Sequence, residues 1–210
     1  MRTLREYFST IYKVYIADLA CRRDEDIKAQ MEVNVYGPMR LIRAALPGMR
    51  KQQSGTIVNI SSLAGFEGVP AVGIYSLSKF AMEGFTESLA GEVKEHNIDV
   101  LLVEPGSYRT NFLGAYKTAT PKQLDQYTKA KAVVDRFSTR QGKQPGDPEK
   151  GAARMLEAIS GTGEAGHLKG KVLRVVLGPD CVGRFEAKVK SMQDDLDACR
   201  EIAMSTDLIE

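Results

Sequence analysis

Tyr75 and Lys79 stand four residues apart in G-I-Y-S-L-S-K-F-A, residues 73–81, where the sequence begins to show the apolar spacing of an amphipathic helix. Two readings are open: a proton-transfer pair, or one more polar pair on a helix surface. A phenol beside an ammonium can exchange a proton with a reacting oxygen. A free tyrosine titrates near pH ~10, so working near neutrality takes a shift of about two units, roughly 3 kcal/mol. An ammonium about 5 Å away, at an effective dielectric of about 20, supplies on the order of 3 kcal/mol. One helical turn puts Lys79 on the face from which it can act. The spacing alone is weak evidence, because Tyr127 and Lys131 in Y-T-K-A-K repeat it. The surroundings separate the two pairs. Ser62 lies 13 residues before Tyr75, at the carboxyl end of a predicted strand, where functional groups of α/β sheets gather, whereas 13 residues before Tyr127 stands Gly114. A further 28 residues back from Ser62 is Asn34, inside a predicted helix.

The elements that must hold these residues follow from the apolar pattern. T-I-V-N-I-S-S (56–62), I-D-V-L-L-V-E (98–104) and K-V-L-R-V-V-L-G (171–178) read as buried strands. Residues 24–51 read as helix, with Pro38 and Pro47 as kinks or ends, and Met39, Leu41, Leu46 and Met49 as core or subunit-interface packing. Between the first two strands, Phe80, Phe85, Leu89 and Val93 recur at helical spacing over residues 75–97. Strand, long helix and strand make a βαβ unit, hence a parallel sheet with helices on its faces. Asp147-Pro148-Glu149 reads as an N-cap with proline at the first helical position, and 184–202 as a charged helical tail. G-T-G-E-A-G, residues 161–166, matches a dinucleotide fingerprint by letter but follows a helix and precedes a strand, the reverse of the order that aims a helix N-terminus at pyrophosphate. It reads as a linker.

Composition narrows the function. A chain of 210 residues, 43% hydrophobic, holds one well-buried domain. Twenty-nine basic against 27 acidic residues, with no basic cluster, argue against a nucleic-acid partner. No stretch reaches the roughly 20 apolar residues of a membrane span, and charges at Arg2, Arg5, Glu6, Lys13 and Asp18 replace a secretory core, so the expectation is a cytoplasmic protein. Cys21, Cys181 and Cys199 are read as free thiols, and with only His96 and His167 beside them no metal site is expected.

N-V-Y-G, T-I-V-N-I-S-S-L-A-G, Y-S-L-S-K and V-E-P-G-S-Y-R-T, in this order and spacing, resemble the short-chain dehydrogenase/reductase family from about Asp24 to the C-terminus. The resemblance implies a Rossmann-like parallel sheet with helices on both faces and NAD(P)-dependent interconversion of an alcohol and a carbonyl. It gives Tyr75 the place of the general acid/base and Lys79 that of its pKa-lowering, ribose-binding partner. Ser62 matches the hydroxyl that holds the substrate oxygen, Asn34 the residue supporting a proton-relay water, and Pro105, Gly106 and Thr110 the nicotinamide-side cofactor loop. Tyr75 and Lys79 would thus serve the cofactor as well as the chemistry. Plainer readings stand beside these: Ser62 ending a strand, Asn34 an ordinary helix residue, Pro105-Gly106 a turn. Residues 111–146, with Phe112, Leu113, Tyr116, Tyr127 and Phe137, sit where the family has its substrate lid, which implies a bulky apolar substrate. The helices containing Asn34 and Tyr75 are those through which the family forms dimers.

The family's T-G-x-x-x-G-x-G turn and N-N-A-G strand do not occur in this sequence. Residues 1–23 are a divergent N-terminal segment, and 24–210 form the catalytic portion, with the first βαβ half of the fold missing. Tyr12 to Ile16 is expected to supply a replacement strand. NAD(P) binding is expected to be weak, with the resemblance leaning toward NADP over NAD. The alternative is a non-catalytic half-domain that associates with full-length family members.

Overall fold

The computed structural model describes residues 23–114 and 127–208, together with the backbone of 15–16 and 117–118. In chain order its elements are β1 (Tyr15–Ile16), α1 (Asp24–Met31), α2 (Gly37–Gln52), β2 (Gly55–Ile60), α3 (Gly73–Val93), β3 (Ile98–Pro105), β4 (Lys117–Thr118), α4 (Thr128–Arg140), α5 (Pro148–Ser160), β5 (Arg174–Leu177) and α6 (Pro179–Met204). β2, β3 and β5 form a parallel sheet in that order, with Val58 opposite Leu101 and Val103 opposite Val175.

Both faces of this sheet are covered, which is why its strands read as nearly continuous apolar runs. On one face Ile57 and Ile98, with Val100 beside them, pack against Ile42, Leu46 and Met49 of α2 and Leu89 and Val93 of α3. On the other, Val58, Leu101, Val103 and Val175 meet Met155, Ala158 and Ile159 of α5. Leu102 and Val103 at the centre are fully buried.

α1 and α2 are one helix interrupted by a π turn at Glu32–Tyr36. The cause is local: Pro38 has no N–H, so the α-helical bond it would donate to the carbonyl of Asn34 cannot form, and a wider turn takes over. Pro47 lies inside α2 without ending it. Asp147 caps α5, its carboxylate accepting from the amides of Glu149 at 2.9 Å and Lys150 at 3.4 Å. Replacing it with Ala is expected to cost about 1 kcal/mol in urea unfolding, the usual loss for an N-cap.

The 161–166 glycine hexapeptide is a helix-to-strand linker, as its order in sequence implies. Gly161 ends α5 with φ 78°, and a Cβ on Gly166 would lie 2.6 Å from the carbonyl carbon of Gly161, so the glycines serve a tight turn. Two expectations are corrected. β1 does not join the main sheet: Tyr15 and Ile16 pair in parallel with Lys117 and Thr118, and residues 12–14 of the expected strand lie outside the described residues. Phe80 does not join the buried stripe of α3; it is 42% exposed, facing outward with Leu77, because Tyr75 and Lys79 claim the inward face of that turn.

Candidate active site

At the carboxyl end of β2 the chain leaves the sheet through Ser61, whose amide donates to the carbonyl of Val103 at 2.7 Å. Ser62 follows in extended conformation and caps the short turn Leu63–Gly65, its hydroxyl accepting from the Ala64 amide at 3.2 Å. α3 then starts at Gly73 and presents Tyr75 and Lys79 to the same corner. Lys79 is 1% exposed, its ammonium donating to the carbonyl of Ile60, the last residue of β2, at 2.9 Å. The ammonium lies 5.7 Å from the centre of the Tyr75 ring. The Tyr75 phenol is buried and shares the cavity wall with Ser62, near enough for that hydroxyl to lower its pKa. Asn34, in the π turn, donates from Nδ2 to the Ser78 hydroxyl at 3.0 Å, and Ser78 donates to the carbonyl of Tyr75 at 2.7 Å. Asn34 thereby ties its helix to the backbone of the turn that carries Tyr75.

Burial outweighs the ammonium in setting the phenol. Tyr75 is pushed up to about 12 by desolvation, with the Ser62 hydroxyl pulling it back. Lys79 is driven down to about 7 by its own burial, against the pull of the Glu83 carboxylate. The sequence-based expectation of a phenol lowered by its cation therefore does not hold for this state of the site. Enclosure by Phe112, whose ring centre is 5.9 Å from that of Tyr75, and by Ala64, Ala71 and Val72 makes the charged phenolate costly.

Tyr75 and Ser62 open onto a cavity of about 770 Å³. Pro105, Gly106 and Thr110 line it at the end of β3, and Phe112, Val133 and Phe137, packed with Tyr75, line it too. Of the two tyrosine–lysine pairs only this one reaches the cavity; Tyr127 is an exposed residue at the start of α4. Tyr116 lies outside the described residues. Gln144 is buried in the cavity wall with Nε2 donating to the carbonyl of Thr110 at 3.3 Å and Oε1 without a hydrogen-bond partner. A diphosphate is poorly served here. The strand-to-helix turn Leu177-Gly178-Pro179 carries Asp180 in the first turn of α6, and that carboxylate accepts from the Ser107 amide at 2.9 Å, so the protein's own anion already stands beside this helix start. A side chain on Gly106 would overlap the same carboxylate.

Beneath Lys79 lies a charge cluster that sequence reasoning missed. Glu104, fully buried in β3, and Glu83 of α3 converge on Arg174 of β5, whose Nε lies 3.2 Å and 3.1 Å from them. Glu104 is raised to about 8, first by burial and then by the Glu83 carboxylate, with Arg174 opposing. The signals were a carboxylate inside V-L-L-V-E-P, an arginine inside a strand, and Glu83 one turn after Lys79. Among the described residues no group of side chains could hold a metal ion, and no helix is long and apolar enough to cross a membrane.

Residues 17–121, half of the chain, match the family model described as short chain dehydrogenase. A 3-ketodihydrosphingosine reductase of Bacteroides thetaiotaomicron is 47% identical over 89 residues, which is 42% of this chain and 33% of that protein. Human retinol dehydrogenase 8 is 48% identical over 83 residues, 40% of this chain and 27% of that protein. The chain thus matches about a third of the length of these relatives. The crystal structure of a short-chain dehydrogenase from Streptomyces avermitilis superposes with TM-score 0.79 at 31% identity, covering 95% of this chain and 70% of that one. With a parallel sheet flanked by helices and these matches, the chain belongs to the short-chain dehydrogenase family of oxidoreductases.

Proposed function

We propose that the site interconverts an alcohol and a carbonyl on a bulky apolar substrate with a nicotinamide dinucleotide as redox partner. The observation that carries this is that Tyr75 and Ser62 share one wall of an apolar cavity, with the buried Lys79 ammonium 5.7 Å from the centre of the Tyr75 ring. In the reduction direction Tyr75 protonates the carbonyl oxygen, and Ser62 donates a hydrogen bond to that oxygen as negative charge develops. Lys79 stabilises the phenolate left behind, and Asn34 fixes the turn that carries the phenol. Tyr75, Lys79, Pro105, Gly106 and Thr110 would hold a nicotinamide, which when bound would supply hydride chemistry. Phe112, Val133 and Phe137 exclude water and take the apolar part of the substrate, with residues 111–146 as the lid. Relatives named for a ketosphingoid and for retinol fit that choice of a long apolar substrate. The outward Tyr36, Leu41, Leu77 and Phe80 support a homodimer through α2 and α3.

The test is a screen of ketones and aldehydes graded in apolar length, with NADPH and with NADH. Turnover that rises with chain length supports the proposal; no turnover on any carbonyl overturns it and leaves the non-catalytic association reading. Titration with either dinucleotide is expected to show binding weaker than micromolar, because the Asp180 carboxylate stands in the first turn of α6 and the sequence carries no T-G-x-x-x-G-x-G turn. Micromolar or tighter binding by fluorescence or calorimetry would contradict that.

A further inference from the structure

α6 outruns the body of the domain. Cys181 is its buried residue, Arg184 pairs with Glu67 at 2.6 Å, and Phe185 closes edge-on against Phe66 with ring centres 4.8 Å apart. From there every residue from Val189 to Met204 is exposed. That exposed stretch is about 24 Å of helix at the usual rise. Helices of such length are marginal in water when nothing covers them.

The exposed stretch carries a seam. Val189, Met192, Leu196, Cys199 and Ala203 follow one another at alternating steps of three and four, the a and d positions of two heptads. At its centre Val189, Met192 and Leu196 are 55%, 59% and 51% exposed. The outer positions Lys190, Ser191, Asp194, Asp197 and Glu201 are polar. Such a stripe is far narrower than the apolar faces that α2 and α3 lay on the sheet, and its period is that of a helix partner.

We propose that α6 pairs in parallel with α6 of a second copy of this chain, as a two-stranded coiled coil along this seam. Charge chooses the occupant and the direction. Asp195 holds a g position and Arg200 the e position five residues on, so a parallel pair sets Asp195 of each copy against Arg200 of the other, and Lys188 against uncharged Gln193. An antiparallel pair would instead bring Asp195 against its own counterpart. Arg200 leans on Asp197 at 2.9 Å within its own helix, an exposed pair that exchanges at little cost. A membrane surface suits the helix poorly: between Arg184 and Met204 five acidic side chains stand against four basic ones, without the basic face of an interfacial helix.

Sedimentation equilibrium on the full chain tests this independently of any activity. Leu196→Asp is expected to halve the assembly mass, from tetramer to dimer if α2 and α3 also pair and from dimer to monomer if they do not. Ser191→Asp, on the outer face, leaves the mass unchanged. In oxidised glutathione the parallel seam stacks Cys199 on Cys199 of the other copy, so a disulfide-linked dimer is expected that Cys199→Ser abolishes. Circular dichroism confirms that each variant keeps its fold. An assembly mass that Leu196→Asp leaves unchanged overturns the proposal. So does preferential cross-linking of Val189→Cys to Cys199 of another copy, the mark of antiparallel pairing.

Discussion

Tyr75→Phe is expected to lower kcat for carbonyl reduction about 10²–10⁴-fold, the range contributed by a positioned general acid, while leaving KM nearly unchanged. The substitution removes one oxygen and keeps the ring that packs on Phe112, Ala64 and Val72, so the cavity and the apolar grip on substrate persist. The pH profile of the wild type carries the same argument. With the phenol at about 12, the protonated form that reduction needs is present throughout the physiological range. Lys79 at about 7 keeps its charge below that pH and loses it above, so reduction should fall on the alkaline side of about 7 as the cation facing the developing phenolate disappears. Oxidation needs the phenolate and should instead rise toward alkaline pH. Initial rates in both directions check this, and a Tyr75→Phe enzyme with undiminished turnover removes the proposed mechanism.

Arg174→Met is the second large effect, expected to cost about 3–5 kcal/mol at alkaline pH, the loss when one partner of a buried ion pair is removed. Glu83 and Glu104 then share the interior of the sheet without their cation, and side-chain packing from the methionine does not replace it. The sign with pH follows from the direction of the shift. Glu104 is raised to about 8, so between its ordinary carboxylate range and about 8 the folded protein holds a proton that the unfolded chain has released, and stability falls as pH rises through that window. Without Arg174 the carboxyl rises further and the window widens. The deficit of the variant against wild type should therefore be small near pH ~5 and grow as pH rises above about 8. Lys79, lowered to about 7, works the other way: above that pH the unfolded chain holds the extra proton and stability rises, but this is common to both proteins and drops out of their difference. Urea midpoints across that range measure it, and a deficit that shrinks with rising pH would contradict the assignment.

Much of the scaffold was legible because its signals are local. The alternation of Val100, Leu101, Leu102 and Val103 between two covered faces, the Asp147 cap, and the helix-to-strand order around Gly161 each follow from a few neighbouring residues. The corner formed by Ser62, Tyr75 and Lys79 was legible as spacing, since strand end and helix start are both set by local pattern. What stayed hidden depends on distance. Glu104 meets Glu83 and Arg174 across 21 and 70 residues of chain, and no periodicity reports that a buried carboxylate has found such partners. The phenol's shift was misjudged for the same reason: the ammonium can be placed by counting, whereas the apolar wall that opposes it is built from Phe112, Ala64 and Val72 in separate segments. Tyr15–Ile16 has strand character, but sequence gave no means of choosing Lys117–Thr118 over the sheet edge as its partner.

The π turn at Glu32–Tyr36 is a phase correction. Eight steps of ideal α-helix would rotate Ile42 roughly 80° away from Asn34, whereas one surplus residue brings the two within about 20° of a common line. Asn34 can then reach Ser78 on α3 while Ile42, Leu46 and Met49 lie flat on the sheet, both from a single rod. Excising one residue there would force the molecule to misdirect either the amide or the whole hydrophobic keel behind it.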